Sequence, residues 1–357
     1  MQVEKNVEIL TIAGTRPEII KLSELVRLLN KERGSKHALL YTGQHFSGNM
    51  KDIFFDELGI KPDYDLGCDT SQVDALRENM IRFMKSTNPE YVLVYGDTSS
   101  SMAAALTAKE IGSKLVHIEA GIRDFDLNVP EEVIRIHIDE ISDYLFAPSK
   151  LSQTFLEYEG VRGEIHVTGN LIVDVCRKLS KEVEQFSRRA ELPSEFLLLT
   201  MHRQENVDDP AKLEMLRKHL EEIAEYKVVF PVHPRTRNNL HKYNIRLPDN
   251  VLTIDPVGYL DFLYLLKKCR LVLTDSGGVQ EEAIILGKPC ITLRHSSARW
   301  ETILLKANRL FPLDRKDSLN TIVKEMLPIK ITHNPYGENV AQKMFELIHK
   351  TIASEGS

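Results

Sequence analysis

The sequence predicts an α/β protein built from two doubly wound parallel-sheet domains. Short apolar runs alternate with amphipathic stretches along the whole chain. The runs are continuously apolar, which fits strands buried on both faces. A length of 357 residues suits two domains better than one. Strand–helix alternation with right-handed crossovers then gives parallel sheets covered by helices on both sides.

The strand candidates of the first half are VEILTIAG, HALLYTGQ, YVLVYGD, KLVHIEAG, YLFAPS and EIHVTGN; those of the second are FLLLTMH, KVVFPVHP, VLTIDP, RLVLTDSGG and PCITLR. Between them, PEIIKLSELVRLLNKERG reads as a helix. Ile20, Leu25, Leu28 and Leu29 fall near one face, Pro17 stands near the start and Gly34 follows the end. TSSSMAAALTAKEIG and YLDFLYLLKKC follow the same logic. KLSKEVEQFSRRAELPSE is charged and lacks a strand core, so the chain is expected to divide into residues 1–172 and 173–339. The last stretch, NPYGENVAQKMFELIHKTIAS, reads as a helix, with 340–357 expected to rejoin the first domain. There is no internal repeat.

Composition narrows the function classes. Net charge is −6, which disfavours nucleic acid as a partner, though a local cluster of donors can still hold an anion. The four cysteines are scattered without a CxxC pair, arguing for a reducing compartment and against zinc. No apolar run approaches the roughly 18 residues of a membrane span, and the N-terminus reads as a first strand rather than a signal peptide. A soluble cytoplasmic protein that does not engage membranes is expected.

Ligands of open parallel sheets sit beyond the carboxyl ends of the strands, and there the polar segments gather: GTRPEIIK, TGQH, GDTSSS, EAGIR, HRQEN, PVHPRTR and DSGGVQEE. In SGGVQEE, Ser276, Gly277 and Gly278 open a helix whose backbone N–H groups and dipole suit a phosphate; Glu282, further along, is placed to meet a sugar hydroxyl pair. The plain alternative is a strand–helix turn with acids suited to the dipole. No GK[ST] follows, so this is not a Walker loop, and no GxGxxG marks a nicotinamide site. Arg16 stands between a strand end and a helix start, where its fork can clamp phosphate, and Lys21 lies one turn on. A lone helical lysine is ordinarily just solvated. His202 and His233 each end a strand and each precede an arginine or a Pro-Arg pair. They read as anion-facing, with a protonated histidine able to assist departure of a diphosphate; metal ligation lacks the usual spacing. Asp97, Glu119 and Glu131 follow strands or open a helix. Singly each is a cap or dipole partner; together they read as acid–base machinery.

In this order GTRPEIIK, GDT, HIEAGIR, PEE, HRQEN, TDSGGVQEEA and LGKP resemble the non-hydrolysing UDP-N-acetylglucosamine 2-epimerases, from Gly14 to the NPYG at 334–337. The resemblance implies two Rossmann-like domains of the glycosyltransferase-B type with the active site in the interdomain cleft, a homodimer, and neither metal nor nicotinamide cofactor. It implies UDP held by Arg16, His202, Ser276, Gly277, Gly278 and Glu282 with Phe262 near the uracil, further substrate contacts from Lys21, Arg203, His233 and Arg299, and sugar chemistry by Asp97, Glu119 and Glu131, with Lys21 and His202 assisting. The family's PEExNR is PEEVIR here, its TERPE is SARWE, its TGNT is TGNL at Leu171, and the segment before PEE is two residues shorter. These departures touch the sugar side. Some relatives also bind a second, activating UDP-GlcNAc. Gln44, Arg203 and His233 match that site, while Ser47 and Ser71 depart from it, so activation is expected to be weak or absent.

Inverting C2 of a 2-acetamido sugar cannot proceed by simple deprotonation, because that C–H is not alpha to a carbonyl. Elimination of UDP across C1–C2, giving a 2-acetamidoglucal, followed by re-addition, is the route such residues serve. Alternatives are a UDP-2,3-diacetamido-uronate 2-epimerase, a hydrolysing epimerase, a glycosyltransferase of the same fold, and a non-catalytic sugar-nucleotide sensor.

Overall fold

The computed structural model describes residues 7–43, 55, 58–183 and 192–355. The chain divides into two compact units, one formed by Met1–Val175 with Tyr336–Ser357, the other by Cys176–Pro335.

The sheet of the first unit contains β1 (Ile9–Ala13), β2 (His37–Tyr41), β3 (Tyr64–Asp65), β4 (Tyr91–Tyr95), β5 (Lys114–Ile118), β6 (Tyr144–Ala147) and β7 (Glu164–Val167), in the spatial order β3-β2-β1-β4-β5-β6-β7. That of the second contains β8 (Leu197–Thr200), β9 (Val228–Pro231), β10 (Val251–Ile254), β11 (Val272–Thr274), β12 (Cys290–Thr292) and β13 (Asn308–Leu310), ordered β10-β9-β8-β11-β12-β13. Every pairing in both is parallel. Each sheet thus starts in its middle, winds outward one way, then crosses back and winds the other. The reversal lies between β1 and β4 in the first unit and between β8 and β11 in the second, the crevices where doubly wound sheets take ligands.

Two expectations need correction. β3 and β13 do not stand out in the sequence, because one has two residues and the other is Asn-Arg-Leu, too short and polar to register as an apolar run. Burial on both faces holds for β1, β2, β4 and β8 but not for β7 and β10, whose residues are half-buried or exposed. Both are edge strands, so each lacks a neighbour on one side.

Helix Arg16–Arg33 shows how sequence becomes placement. The Glu18 carboxylate accepts the N–H groups of Gly14 and Thr15 at 2.7 Å each, closing the first turn. Gly34 ends it with φ +53°, a left-handed conformation glycine adopts cheaply. Ile19, Leu22, Leu25, Val26 and Leu29 are buried, each contributing roughly 1.5–3 kcal/mol of transfer free energy; Leu28, expected on the buried face, is only half-buried. Helix Val340–Glu355 packs against this helix, so the chain terminus belongs to the first unit. All four cysteines are buried and unbridged.

Candidate active site

In the first unit, the loops after β1, β4 and β5 meet at the sheet's carboxyl edge. Gly14 must be glycine: a Cβ there would stand 2.1 Å from Ser100 Oγ. The close approach lets Glu18 gather both loops, for it also accepts from Thr98 Oγ1 at 2.6 Å and Ser101 Oγ at 3.0 Å. Burial pushes the Glu18 carboxyl up from its usual range, while the donors from Thr98, Gly14, Thr15 and Ser101 pull the other way. Arg16 and Lys21 are thereby placed on the same helix as a carboxylate tied to the Asp97 loop.

Lys21 Nζ lies 2.7 Å from Glu119 Oε2, with the two side chains 9% and 4% exposed. The hydroxyl of Tyr95, the last residue of β4, donates to the same oxygen. The Lys21 ammonium stands 5.2 Å from the centre of the Tyr95 ring. Glu119 itself has φ +72°, which for a non-glycine residue costs on the order of 1–3 kcal/mol and persists only where its surroundings enforce it. Such strain is concentrated at functional positions. Its backbone is held because the N–H groups of Glu119 and Ala120 both donate to the carbonyl of Phe146.

Asp97 is half-buried and ion-paired with Arg135. Arg135 donates from its other terminal nitrogen to Glu132 Oε2 at 2.9 Å, and Glu132 accepts the N–H groups of Asp124 and Phe125. Of the two glutamates opening helix Pro130–Ile141, Glu132 is therefore buried scaffolding. Glu131 is exposed and makes no hydrogen bond or ion pair among the described residues, so no contact joins it to Asp97 or Glu119.

Beneath this edge runs a buried charged network. His117 Nδ1 is 2.6 Å from Asp139 Oδ1, and its Nε2 is 2.8 Å from the carbonyl of Gly96. Arg123, 1% exposed, donates to Asp139 Oδ2 at 2.7 Å and to both oxygens of Glu159. Burial opposes ionisation of Asp139, but His117 and Arg123 outweigh it and hold the carboxyl below its ordinary range. The network joins the loops after β4 and β5 to helix Pro130–Ile141.

In the second unit, Asp275 does the gathering. It is fully buried and accepts the backbone N–H of His202 at 3.1 Å and of Arg203 at 2.9 Å, together with Asn206 Nδ2 at 3.3 Å. The loop after β8 is so fastened to the end of β11. The His202 ring remains 48% exposed, with Nδ1 3.6 Å from Asp275 Oδ1. The His233 ring centre is 6.1 Å from that of His202. Partial burial, His202 and Arg235 together lower the His233 pKa from its usual value.

Gly277 and Gly278 open helix Gly277–Ile285, and a Cβ on either would meet nothing within 4 Å. Neither has a positive φ. The protein's own packing therefore does not demand glycine at either position, and the bare backbone leaves room for a ligand to come close to the helix N-terminus. Ser276, preceding them, is half-buried. Glu282 is 7% exposed and accepts from the Tyr259 hydroxyl at 2.8 Å. Phe262 is half-buried on helix Tyr259–Lys268. Arg299 is 8% exposed, and its Nε lies 2.7 Å from Oε1 of the fully buried Glu281, so its charge is already paired inside the unit.

Within each unit, then, the sequence-derived residues converge in part. Lys21 and Glu119 touch; His202, His233, Ser276 and the two glycines share the β8/β11/β9 edge; Glu131 stands apart from the carboxylates it was grouped with. Gln44 lies outside the described residues. Glu18, Tyr95, Asp139 and Asp275 escaped the sequence reading, and Glu132 and Arg135 were seen in PEEVIR without their structural role. The Thr15-to-Glu18 spacing is a capping-box signal; Tyr95 and Asp275 carry no signal beyond adjacency to a motif. Among the described residues, no three His, Cys, Asp or Glu side chains are arranged to hold a metal ion, and no helix is long and apolar enough to cross a membrane.

Residues 27–349 match the family described as UDP-N-acetylglucosamine 2-epimerase. The chain belongs to this family. A UDP-N-acetylglucosamine 2-epimerase of Methanococcus maripaludis is 40% identical over 93% of this chain and 95% of its own length. A UDP-2,3-diacetamido-2,3-dideoxy-D-glucuronate 2-epimerase of Pseudomonas aeruginosa is 40% identical over 85% of this chain and 88% of its own. The Methanocaldococcus jannaschii UDP-GlcNAc 2-epimerase, solved in complex with UDP-GlcNAc and UDP, superimposes with a TM-score of 0.85 at 38% identity, covering 96% of this chain and 99% of that one. The epimerase family's pair of doubly wound domains is of the glycosyltransferase-B type.

Proposed function

We propose that the chain interconverts UDP-N-acetylglucosamine and UDP-N-acetylmannosamine by eliminating UDP and adding it back. The observation that carries this reading is the buried Lys21–Glu119–Tyr95 cluster beside Asp97, in a member of the epimerase family. The second unit holds the nucleotide: the open helix N-terminus at Ser276, Gly277 and Gly278 takes a phosphate, Glu282 meets the ribose hydroxyls and Phe262 lies by the uracil. Arg16, Arg203, His233 and Arg299 complete the substrate contacts.

In the forward step a carboxylate of the set Asp97, Glu119 and Glu131 takes the proton from C2. The C–H electron pair forms the C1–C2 double bond, and the C1–O bond breaks with its pair passing to the UDP phosphate oxygen. His202 and the helix dipole stabilise the departing diphosphate. In the return step C2 receives a proton on the opposite face while the phosphate oxygen attacks C1. Base and acid must therefore be different groups. Lys21 keeps a positive charge beside the reacting carboxylate.

The test is incubation of UDP-GlcNAc with the protein in deuterated water, followed by NMR. Deuterium at C2 of both recovered sugar nucleotides is expected; a 2-epimer retaining its proton would overturn the elimination route. The Pseudomonas relative's name favours a second reading, a 2,3-diacetamido-uronate sugar, and the ratio of kcat/KM for the two substrates decides between them. We read the working form as a cytoplasmic homodimer that supplies activated N-acetylmannosamine for surface polysaccharides, with little activation by a second UDP-GlcNAc. Light scattering tests the dimer, and initial rates from UDP-ManNAc with and without trace UDP-GlcNAc test the activation.

A further inference from the structure

We infer that Tyr95 is a positioning residue that, through its hydroxyl, keeps Glu119 in the ionised form and so makes Glu119 the proton acceptor of the carboxylate set. The inference deepens the epimerase reading and rests on it for the identity of the proton. Three features of the first unit carry it.

The Tyr95 hydroxyl and the Lys21 ammonium both address Glu119 Oε2. A carboxyl oxygen that receives a neutral O–H and a cationic N–H donor is stabilised as an acceptor, hence in the charged state. Asp97 has a different environment. It is half-buried and its partner is Arg135, a permanent cation that is itself shared with Glu132. Glu131 is exposed to water. Of these three carboxylates, Glu119 is the one that combines near-complete burial with two donors on one oxygen.

Tyr95 also has a second acceptor within reach. Its hydroxyl lies 3.4 Å from Asn170 Oδ1, and Asn170 is 2% exposed. Asn170 in turn accepts the N–H of Ile172 at 3.1 Å and donates its own N–H to the carbonyl of Tyr336 at 3.0 Å. A Cβ at neighbouring Gly169 would collide with that carbonyl at 2.4 Å, so the two segments are pressed together. The phenol has one proton and two acceptors in reach, and gives it to the charged one, Glu119; Asn170 Oδ1 is neutral, more distant and already accepts from Ile172.

Third, the backbone of Glu119 is strained at φ +72°. The strain presents the carboxylate to Lys21 and Tyr95, a geometry a relaxed strand end would not supply.

The test reads the carboxyl of Glu119 directly. Glutamate labelled with carbon-13 at the δ position is incorporated into the full chain, the Glu119 resonance is identified by its loss in Glu119→Gln, and its titration is followed by NMR. In Tyr95→Phe the Glu119 pKa should rise by about one unit, because a donor to the charged form has been removed. Tyr91→Phe, on the same strand, should leave it in place. The acid limb of the kcat profile for UDP-GlcNAc should move upward with the NMR value, with KM little changed. A Glu119 titration identical in wild type and Tyr95→Phe would overturn the inference, whatever the turnover. If Tyr95→Phe does not fold, the Tyr95 ring ζ-carbon in Glu119→Gln provides the second measurement: it should shift as a phenol does on exchanging a charged acceptor for a neutral one, and an unmoved resonance would overturn the inference. Because the titration needs no substrate, a wild type inert toward UDP-GlcNAc would refute the proposed reaction without touching the Tyr95–Glu119 result.

Discussion

Lys21 Nζ and Glu119 Oε2 meet at 2.7 Å across a separation of 98 residues. One side chain comes from the second turn of the helix that follows β1, the other from the end of β5, and β4 lies between the two strands. The pair is desolvated, so each charge depends on the other.

Removing Lys21 should reveal that dependence. Lys21→Met leaves a buried carboxylate without its cation and should cost about 3–5 kcal/mol in urea unfolding. Adding Glu119→Gln should recover part of the loss. Strictly additive losses in the double variant would show that the pair is not coupled.

Asp97→Asn, Glu119→Gln and Glu131→Gln should each reduce turnover by roughly 10²–10⁴-fold, the usual worth of a positioned acid or base. UDP binding, measured by calorimetry, should be near wild type, because none of the three carboxylates is among the proposed nucleotide contacts. Glu131 is the sharpest case, being exposed with no partner in its own unit. Near-normal turnover in Glu131→Gln would remove it from the catalytic set.

Gly277→Ala and Gly278→Ala should leave the fold intact, since an added Cβ meets nothing and neither backbone is left-handed. Thermal stability should be unchanged or higher by about 0.4–1 kcal/mol, from the smaller entropy of the unfolded chain. UDP affinity should fall at least tenfold. Unchanged affinity in both variants would show that the phosphate sits elsewhere.

UDP binding should take up protons near neutral pH. His233 has its pKa lowered by partial burial, by His202 and by Arg235, so the free protein carries less than its ordinary share of protonated imidazole. A diphosphate beside the two rings reverses that balance, raises the pKa and draws a proton from solution. Calorimetry at pH 6.5 in buffers of different ionisation enthalpy measures the uptake. An observed enthalpy independent of buffer would argue against histidine–phosphate contact.

The Asp139 network should govern acid stability. Its carboxyl is held below the usual range in the folded chain, so the folded state binds that proton less readily than the unfolded one. Its contribution is complete above the unfolded value of about 3.9 and is lost as pH falls through the lower folded value. Asp139→Asn should be less stable than wild type at pH 7 by about 3–5 kcal/mol, having left Arg123 buried with one counter-charge fewer. The difference should narrow below pH 4. A constant difference from pH 7 to pH 3 would contradict this.

Much of the fold was written in local pattern. The apolar runs became β1, β2, β4, β5, β6, β7, β8, β9, β10, β11 and β12, and the periodic stretches between them became the crossover helices, because a parallel strand and an amphipathic helix each leave a signature within a few residues. The strand-end motifs likewise pointed to the ligand edge, since that edge follows from connectivity alone. β3 and β13 were illegible, for two- and three-residue strands are made by their neighbours and not by their own composition.

The site divides along the same line. Residue types capable of the chemistry could be read from the sequence: Arg16, Lys21, Asp97, Glu119, His202, Ser276 and the glycine pair each sit in a segment whose local form is set by a strand end and a helix start. Which of two adjacent glutamates is buried could not be read, and the structure makes Glu132 the scaffold and leaves Glu131 in water. Nor could the convergence of Lys21 and Tyr95 on Glu119, or the gathering of the His202 loop by Asp275. These are contacts between residues tens of positions apart. Strand order brings them together, and desolvation in the packed core gives each one its energy; neither exists until the sheets have formed.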